Sequence, residues 1–169
     1  MFGGCSSLQR LDLSNFNTSL IEDMDSLFKD CEDLTSLDIS SFDTSKVKNM
    51  YSLFSGCNSL TSIDLSNFDT SQVTNIEHLF FNCRNLISLN LYNFDTSNVE
   101  TMVGMVEGCE SLISLDLSSF DTSKCSSMWA MFLNCVSLKS LDLSNFNTNL
   151  VTSMKQMFSY CLFFEIFRY

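Results

Sequence analysis

Cysteine is the residue type in this chain most able to do chemistry, and its spacing is regular. Seven of the eight cysteines, Cys5, Cys31, Cys57, Cys83, Cys109, Cys135 and Cys161, recur every 26 residues. The opening stretch MFGGC puts two small residues before a cysteine, as a lipid-attachment site does. That site also needs a basic region and an apolar stretch ahead of the cysteine, which four residues do not supply. Zinc would need four converging ligands with close pairs in sequence, but no C-x-x-C pair occurs and His78 is the only histidine. Disulfides between neighbouring units are within reach, yet identical residues in register point the same way and seven is odd. The reading favoured is a ladder of buried thiols acting as small apolar fillers, with disulfides as the alternative and no metal. Cys125 sits in the slot of Val47, Val73 and Val99, which places it in the core.

The carboxylates follow the same period. Asp12, Asp38, Asp64, Asp116 and Asp142 form one row, which Asn90 interrupts. Serines flank each aspartate from Asp38 onward two positions away, as Ser36 and Ser40 do. The sequence supports two compatible readings: a solvated acidic face screened by water and salt, and a ligand-binding groove on the strand side of a repeat array. A calcium role lacks the dense oxygen set such sites use. The strand-face candidates for ligand contact are Asp12, Asp38, Asp64, Tyr92, Asp116 and Asp142. A second acidic row, Asp43, Asp69, Asp95 and Asp121, exchanges with Asn17 and Asn147, which suits hydrogen bonding in a turn. Candidates for partner contact on the opposite face are Tyr51, Trp129 and Leu133, which occupy slots that vary from unit to unit. His78 has no nucleophile or base partner in the pattern. No enzyme chemistry and no cofactor are expected.

Fixed-period self-similarity names an architecture before any local feature does. The chain reads as one domain, 1–169: a partial coil at 1–4, six full repeats at 5–160 and a partial coil at 161–169. The consensus is C-x-x-L-x-x-L-D-L-S-x-F-D-T-S-x-V-x-x-M-x-x-[LM]-F-x-x. Within it Leu37 and Ile39 alternate with Asp38, a strand pattern. Val47, Met50, Leu53 and Phe54 then fall at i, i+3, i+6 and i+7, which reads as one helix face. The intervening Asp-Thr-Ser are capping residues. The expected fold is an α/β solenoid of leucine-rich-repeat type, with one short parallel strand and one short helix per 26-residue coil. One parallel sheet is expected, centred on Leu11–Leu13 and its equivalents, with stacked rings at Phe16, Phe42, Phe68, Phe94, Phe120 and Phe146.

The segment LDLSNFDTSxVTxMxxMFxxC resembles the 26-residue repeat of bacterial surface proteins in the BspA-like leucine-rich-repeat group. The resemblance implies exported, surface-displayed proteins of bacteria such as mycoplasmas, often lipid- or wall-anchored, with roles in adhesion or ligand recognition. Two departures stand out. The asparagine that follows the strand in ordinary leucine-rich repeats is replaced by the Phe row, and the fourth unit drifts at Asn90, Tyr92 and Val106.

The charge balance of 9 basic to 20 acidic residues, net −11, argues against nucleic acid and against anionic membrane surfaces. The apolar runs are too short to span a bilayer. The expected partners are a protein or glycan ligand, with no nucleic acid and no membrane insertion by this segment. The expected location is the cell surface or outside the cell. The alternative is a structural spacer or surface coat without a specific ligand. The apolar ends, above all CLFFEIFRY with Phe164, Phe167 and Tyr169, lead to the expectation that they are either capped by neighbouring sequence in a longer parent or associate end to end.

Overall fold

The computed structural model describes residues 1–162 and the backbone of 165–166. Its order is set by contacts one repeat apart. Strand β1 (Arg10–Asp12) pairs in parallel with β2 (Ser36–Asp38), Leu11 opposite Leu37. Strands β3 (Ser88–Leu89), β4 (Ser114–Leu115), β5 (Ser140–Leu141) and β6 (Glu165–Ile166) form a second parallel sheet in sequential order. The parallel, sequential pairing agrees with the alternating Leu-Asp-Leu pattern. The expectation of one sheet does not hold: residues 62–65 form no strand, so there are two. Ile87 N–H still donates to Thr61 C=O at 2.9 Å, so the stack continues across that gap.

The expected helix is absent. Among the described residues there is no helix, and the chain is not an α/β solenoid with a helix per repeat. In its place each coil carries a ribbon of successive tight turns. In one ribbon Leu27 N–H donates to Met24 C=O, Lys29 N–H to Ser26 C=O, and Cys31 N–H to Phe28 C=O. Ser26 and Asp30 have positive φ, 55° and 57°, as the third residue of a type II turn requires. The N–H groups left over reach the next coil: Met24 to Asn49 C=O, Ser26 to Tyr51, Phe28 to Leu53 and Asp30 to Ser55, at 2.7–3.0 Å. A row of parallel bridges runs through Asp23, Asn49, Asn75, Thr101, Ser127 and Ser153. Backbone groups that a helix would satisfy within itself are satisfied between coils.

The helical reading failed for a physical reason. The turn ribbon repeats every four residues, so Met50 and Phe54 point inward together. Over eight residues a period of four and a period of 3.6 place apolar residues almost identically. Both readings bury Met50, Leu53 and Phe54, and all three are fully buried.

The slot before each repeat cysteine reads Gly4, Asp30, Gly56, Asn82, Gly108, Asn134 and Tyr160, and every one of these has positive φ. Gly, Asn and Asp tolerate that conformation best. The glycines serve a second purpose. A Cβ on Gly56 would lie 2.4 Å from Asp30 Oδ1, and one on Gly108 would lie 2.3 Å from Asn82 Oδ1. Each of these two glycines leaves room for the Asp or Asn side chain of the coil before it.

The core is continuous. Phe2, Phe28, Phe54 and Phe80 stack with ring centroids 5.4–5.7 Å apart, and Phe132 stacks on Phe158 at 5.5 Å. Val106 interrupts this row. The row expected to stack is a different one. Its members Phe42, Phe68, Phe94 and Phe120 are buried, but the ring pairs in contact lie in the turn ribbon. The apolar end segment with Phe164, Phe167 and Tyr169 lies outside the described residues.

Candidate functional site

The aspartates of the strand row turn out to be local fasteners. Each accepts, through Oδ1, the backbone N–H two residues on: Ser14 to Asp12 at 2.9 Å, Ser40 to Asp38 at 3.1 Å, Ser66 to Asp64 at 2.9 Å, Ser118 to Asp116 at 2.9 Å and Ser144 to Asp142 at 2.8 Å. Asn90 does the same for Tyr92 at 3.2 Å. This is the Asx turn, open to either residue type. The second acidic row repeats it, with Asp43, Asp69, Asp95 and Asp121 accepting from Ser45, Ser71, Ser97 and Ser123. No helix follows these residues, so their role as caps is confined to the turn. Hydrogen bonds hold several of these carboxyls below the usual aspartate range. Asp64, Asp116 and Asp142 owe this first to the backbone N–H, and Asp12 and Asp43 first to the serine hydroxyl. Asp116 opposes the shift at Asp142, as like charges on adjacent coils do.

The strand face is therefore regular and exposed, with one departure. Tyr92 occupies a serine slot and is 63% exposed. Its coil carries the neutral Asn90 where the neighbouring coils carry Asp64 and Asp116. Ile87 and its next-coil equivalent Ile113, which precede strands β3 and β4, are also exposed. One coil beyond Tyr92 a hollow of about 150 Å³ is lined by residues including Asp116, Ser118, Asp142, Ser144 and Asn145. The structure thus brings Asp64, Tyr92, Asp116 and Asp142 to one face, with Asp12 and Asp38 farther along the same row.

The second candidate set is dispersed over the turn ribbon. Tyr51 and Leu133 are half-buried, and Trp129 is 42% exposed. Trp129 and Leu133 do not share a helix face. They stand one turn apart, and Trp129 Nε1–H donates to Gln156 Oε1 at 3.3 Å. Tyr51 meets His78 edge to face, centroids 5.9 Å apart, and His78 meets Phe81 in the same way at 5.2 Å. Burial holds the His78 imidazole below its usual pKa.

Three structural roles escaped the sequence reading. The buried threonines fasten coil to coil: Thr96 Oγ1–H donates to Asp121 C=O at 2.9 Å and accepts the Asp121 N–H at 2.8 Å. Thr18, Thr44 and Thr122 bridge in the same two-way fashion. The turn asparagine also proves to be present, one position before the phenylalanine. Asn67 Nδ2 donates to the carbonyls of Ile39, Ser40 and Phe42 in the preceding coil, and Asn93 and Asn145 repeat this. The serines in that slot do part of the work, as Ser41 does toward Leu13. Finally, repeat thiols donate to a backbone carbonyl of the preceding coil, as Cys83 does to Phe54 C=O at 3.1 Å. The cysteines are free thiols, and from Cys31 to Cys135 they are buried. Burial raises Cys83 to about 12.

The chain matches the family described as "Mycoplasma protein of unknown function, DUF285" over residues 1–111 and 81–166. It belongs to that repeat-containing family. No curated protein matches it, and no solved structure does.

Proposed function

We propose that the chain is a non-catalytic recognition module, displayed at the cell surface, whose contact face is the strand side. The observation that carries this reading is Tyr92, a large exposed aromatic in a row otherwise held by serine, on a face whose backbone is fixed by Asx turns. Exposed aromatics on rigid surfaces anchor partners at low entropic cost. The resemblance of the repeat to BspA-like surface proteins supports display outside the cell and a role in adhesion. The partner is a protein or a glycan. The net charge of −11 turns away nucleic acid, and the segment does not insert into a membrane.

One observation favours a second reading. The remaining strand-face slots repeat Ser-Asp-Ser with little change, which suits a spacer or coat with no specific ligand. An array test separates the two. The wild-type segment and Tyr92→Ser, which restores the serine of the other coils, are applied to immobilised glycans and extracellular proteins. Capture by wild type that is lost in the variant supports recognition through the strand face. Equal capture by both refutes that face as the contact surface, and no capture by either favours the spacer.

A further inference from the structure

The sequence pattern is broken at a second place, where three aromatic side chains of adjacent coils meet. Tyr51, His78 and Phe81 wall a depression of about 220 Å³. Lys29 and Asp30 stand at its edge, and Ser52 and Ser55 also line it. The two serines are 2% and 3% exposed, and neither hydroxyl has a hydrogen-bond partner in the protein. Neither hydroxyl is sealed from solvent, since both serines line the open depression; the buried polar atom without a partner here is His78 Nδ1. The His78 wall is held from the far side. Gly104, with φ of 55°, has no Cβ, and a Cβ there would lie 2.4 Å from His78 Nδ1. The imidazole therefore lies against the next coil and keeps its edge contacts with Tyr51 and Phe81.

We propose that this depression binds one neutral sugar ring of a glycan. The lining selects that chemistry in three ways. Aromatic walls take the C–H face of a ring, as they take other apolar surface. The two serine hydroxyls, which bond water in the open depression, favour a ligand that brings hydrogen-bond donors and acceptors along with that apolar face. A purely apolar side chain would seal them unpaired. Lys29 and Asp30 carry opposite charges at the edge, so a ligand of either net charge gains little over a neutral one. The size is below the ~300–1,000 Å³ that drug-sized ligands occupy, so the site takes a single ring. It lies on the turn ribbon, away from Tyr92, and it stands or falls independently of the strand-face reading.

The test uses the 169-residue chain and the methyl glycosides of glucose, galactose and N-acetylglucosamine at tens of millimolar. The readout is NMR of the His78, Tyr51 and Phe81 ring protons. At least one glycoside is expected to shift these rings in a saturable manner. Ser52→Ala/Ser55→Ala should weaken it about tenfold, the loss of two ordinary hydrogen bonds, with the unfolding midpoint unchanged or raised. Tyr92→Ser should leave it unaltered. Saturable shifts that survive the double serine variant overturn the proposal, as does the absence of shifts with all three glycosides. N-acetyltyrosinamide binding more tightly than every glycoside also overturns it, in favour of a peptide side chain. Loss of binding in Tyr92→Ser would move the sugar to the strand face and overturn this site alone.

Discussion

Replacing Gly108 with alanine tests the turn ribbon at the point where backbone and packing requirements coincide. Gly108 has φ of 74°, and an added Cβ would lie 2.3 Å from Asn82 Oδ1 and 3.3 Å from Asn82 Cα. Holding alanine in the left-handed region costs about 1–2 kcal/mol. Displacing the Asn82 side chain from its rotamer adds about 0.5–1.5 kcal/mol. The stiffer unfolded chain returns about 0.4–1 kcal/mol. The net expectation is a loss of about 2 kcal/mol, from these same three contributions. Urea unfolding of wild type, Gly108→Ala, Asn82→Gly and the double variant measures it. Asn82 itself has φ of 56°, so glycine fits there without strain. In the double variant the clash disappears, and a coupling of about 0.5–1.5 kcal/mol should appear in the cycle. A Gly108→Ala protein as stable as wild type, or strictly additive single effects, would refute the turn geometry and with it the account of why the helix is missing.

Thr96→Val keeps shape but leaves the Asp121 N–H and C=O without their bridge; a loss of about 2–3 kcal/mol is expected, and Thr96→Ser should retain most of the stability, both read by urea unfolding. The lowered pKa of His78 comes first from burial, with Glu77 opposing and Lys29 reinforcing the shift. Below about pH 6.5 the unfolded chain therefore binds more protons than the folded one, and stability falls as pH drops from there toward the folded pKa. Melting curves from pH 7.5 to 5.5 should show the fall, and His78→Ser, the residue of the two preceding coils, should flatten it. Among the thiols, Cys5 is exposed and Cys57, Cys83, Cys109, Cys125 and Cys135 are buried. Mass analysis after brief alkylation should find Cys5 modified and those five untouched until the chain is denatured; native labelling of Cys83 or Cys109 would contradict the stacked core.

The features legible in the sequence were those carried by period and polarity. The 26-residue frame, parallel register from coil to coil, the inward Leu, Met, Phe and Cys rows and the turn role of the second Asp row are all present in the structure. The failures share one cause. The sequence reading sought a partner for each backbone group within its own element, whereas here the partner lies 25 or 26 residues away. The Met-x-x-Leu-Phe spacing then looked helical, and Thr96, buried because it bonds the next coil, looked like a cap. One signal in the chain did discriminate. Gly, Asn or Asp before every repeat cysteine up to Cys135 is unexpected in a helix and apt for a left-handed turn residue. At the candidate sites, exposure of Tyr92 could be read from its serine slot. The meeting of Tyr51, His78 and Phe81 could not, since it depends on which positions of three different slots face one another across coils.

From Gly4 to Asn134 glycine alternates with Asp or Asn before the cysteines, and Tyr160 then follows Asn134; the alternating stretch bears on how such a chain can change length. Within that stretch, adding one unit would keep every backbone bond in register but would set two glycines next to each other, or two side chains, as Asn134 and Tyr160 already stand. Adding two units, 2 × 26 = 52 residues, would preserve the alternation as well. At about 4.8 Å per coil, the spacing of paired strands, the natural increment of growth within the alternating stretch is about 10 Å, and duplications or deletions that fall in that stretch of related chains should favour even numbers of units.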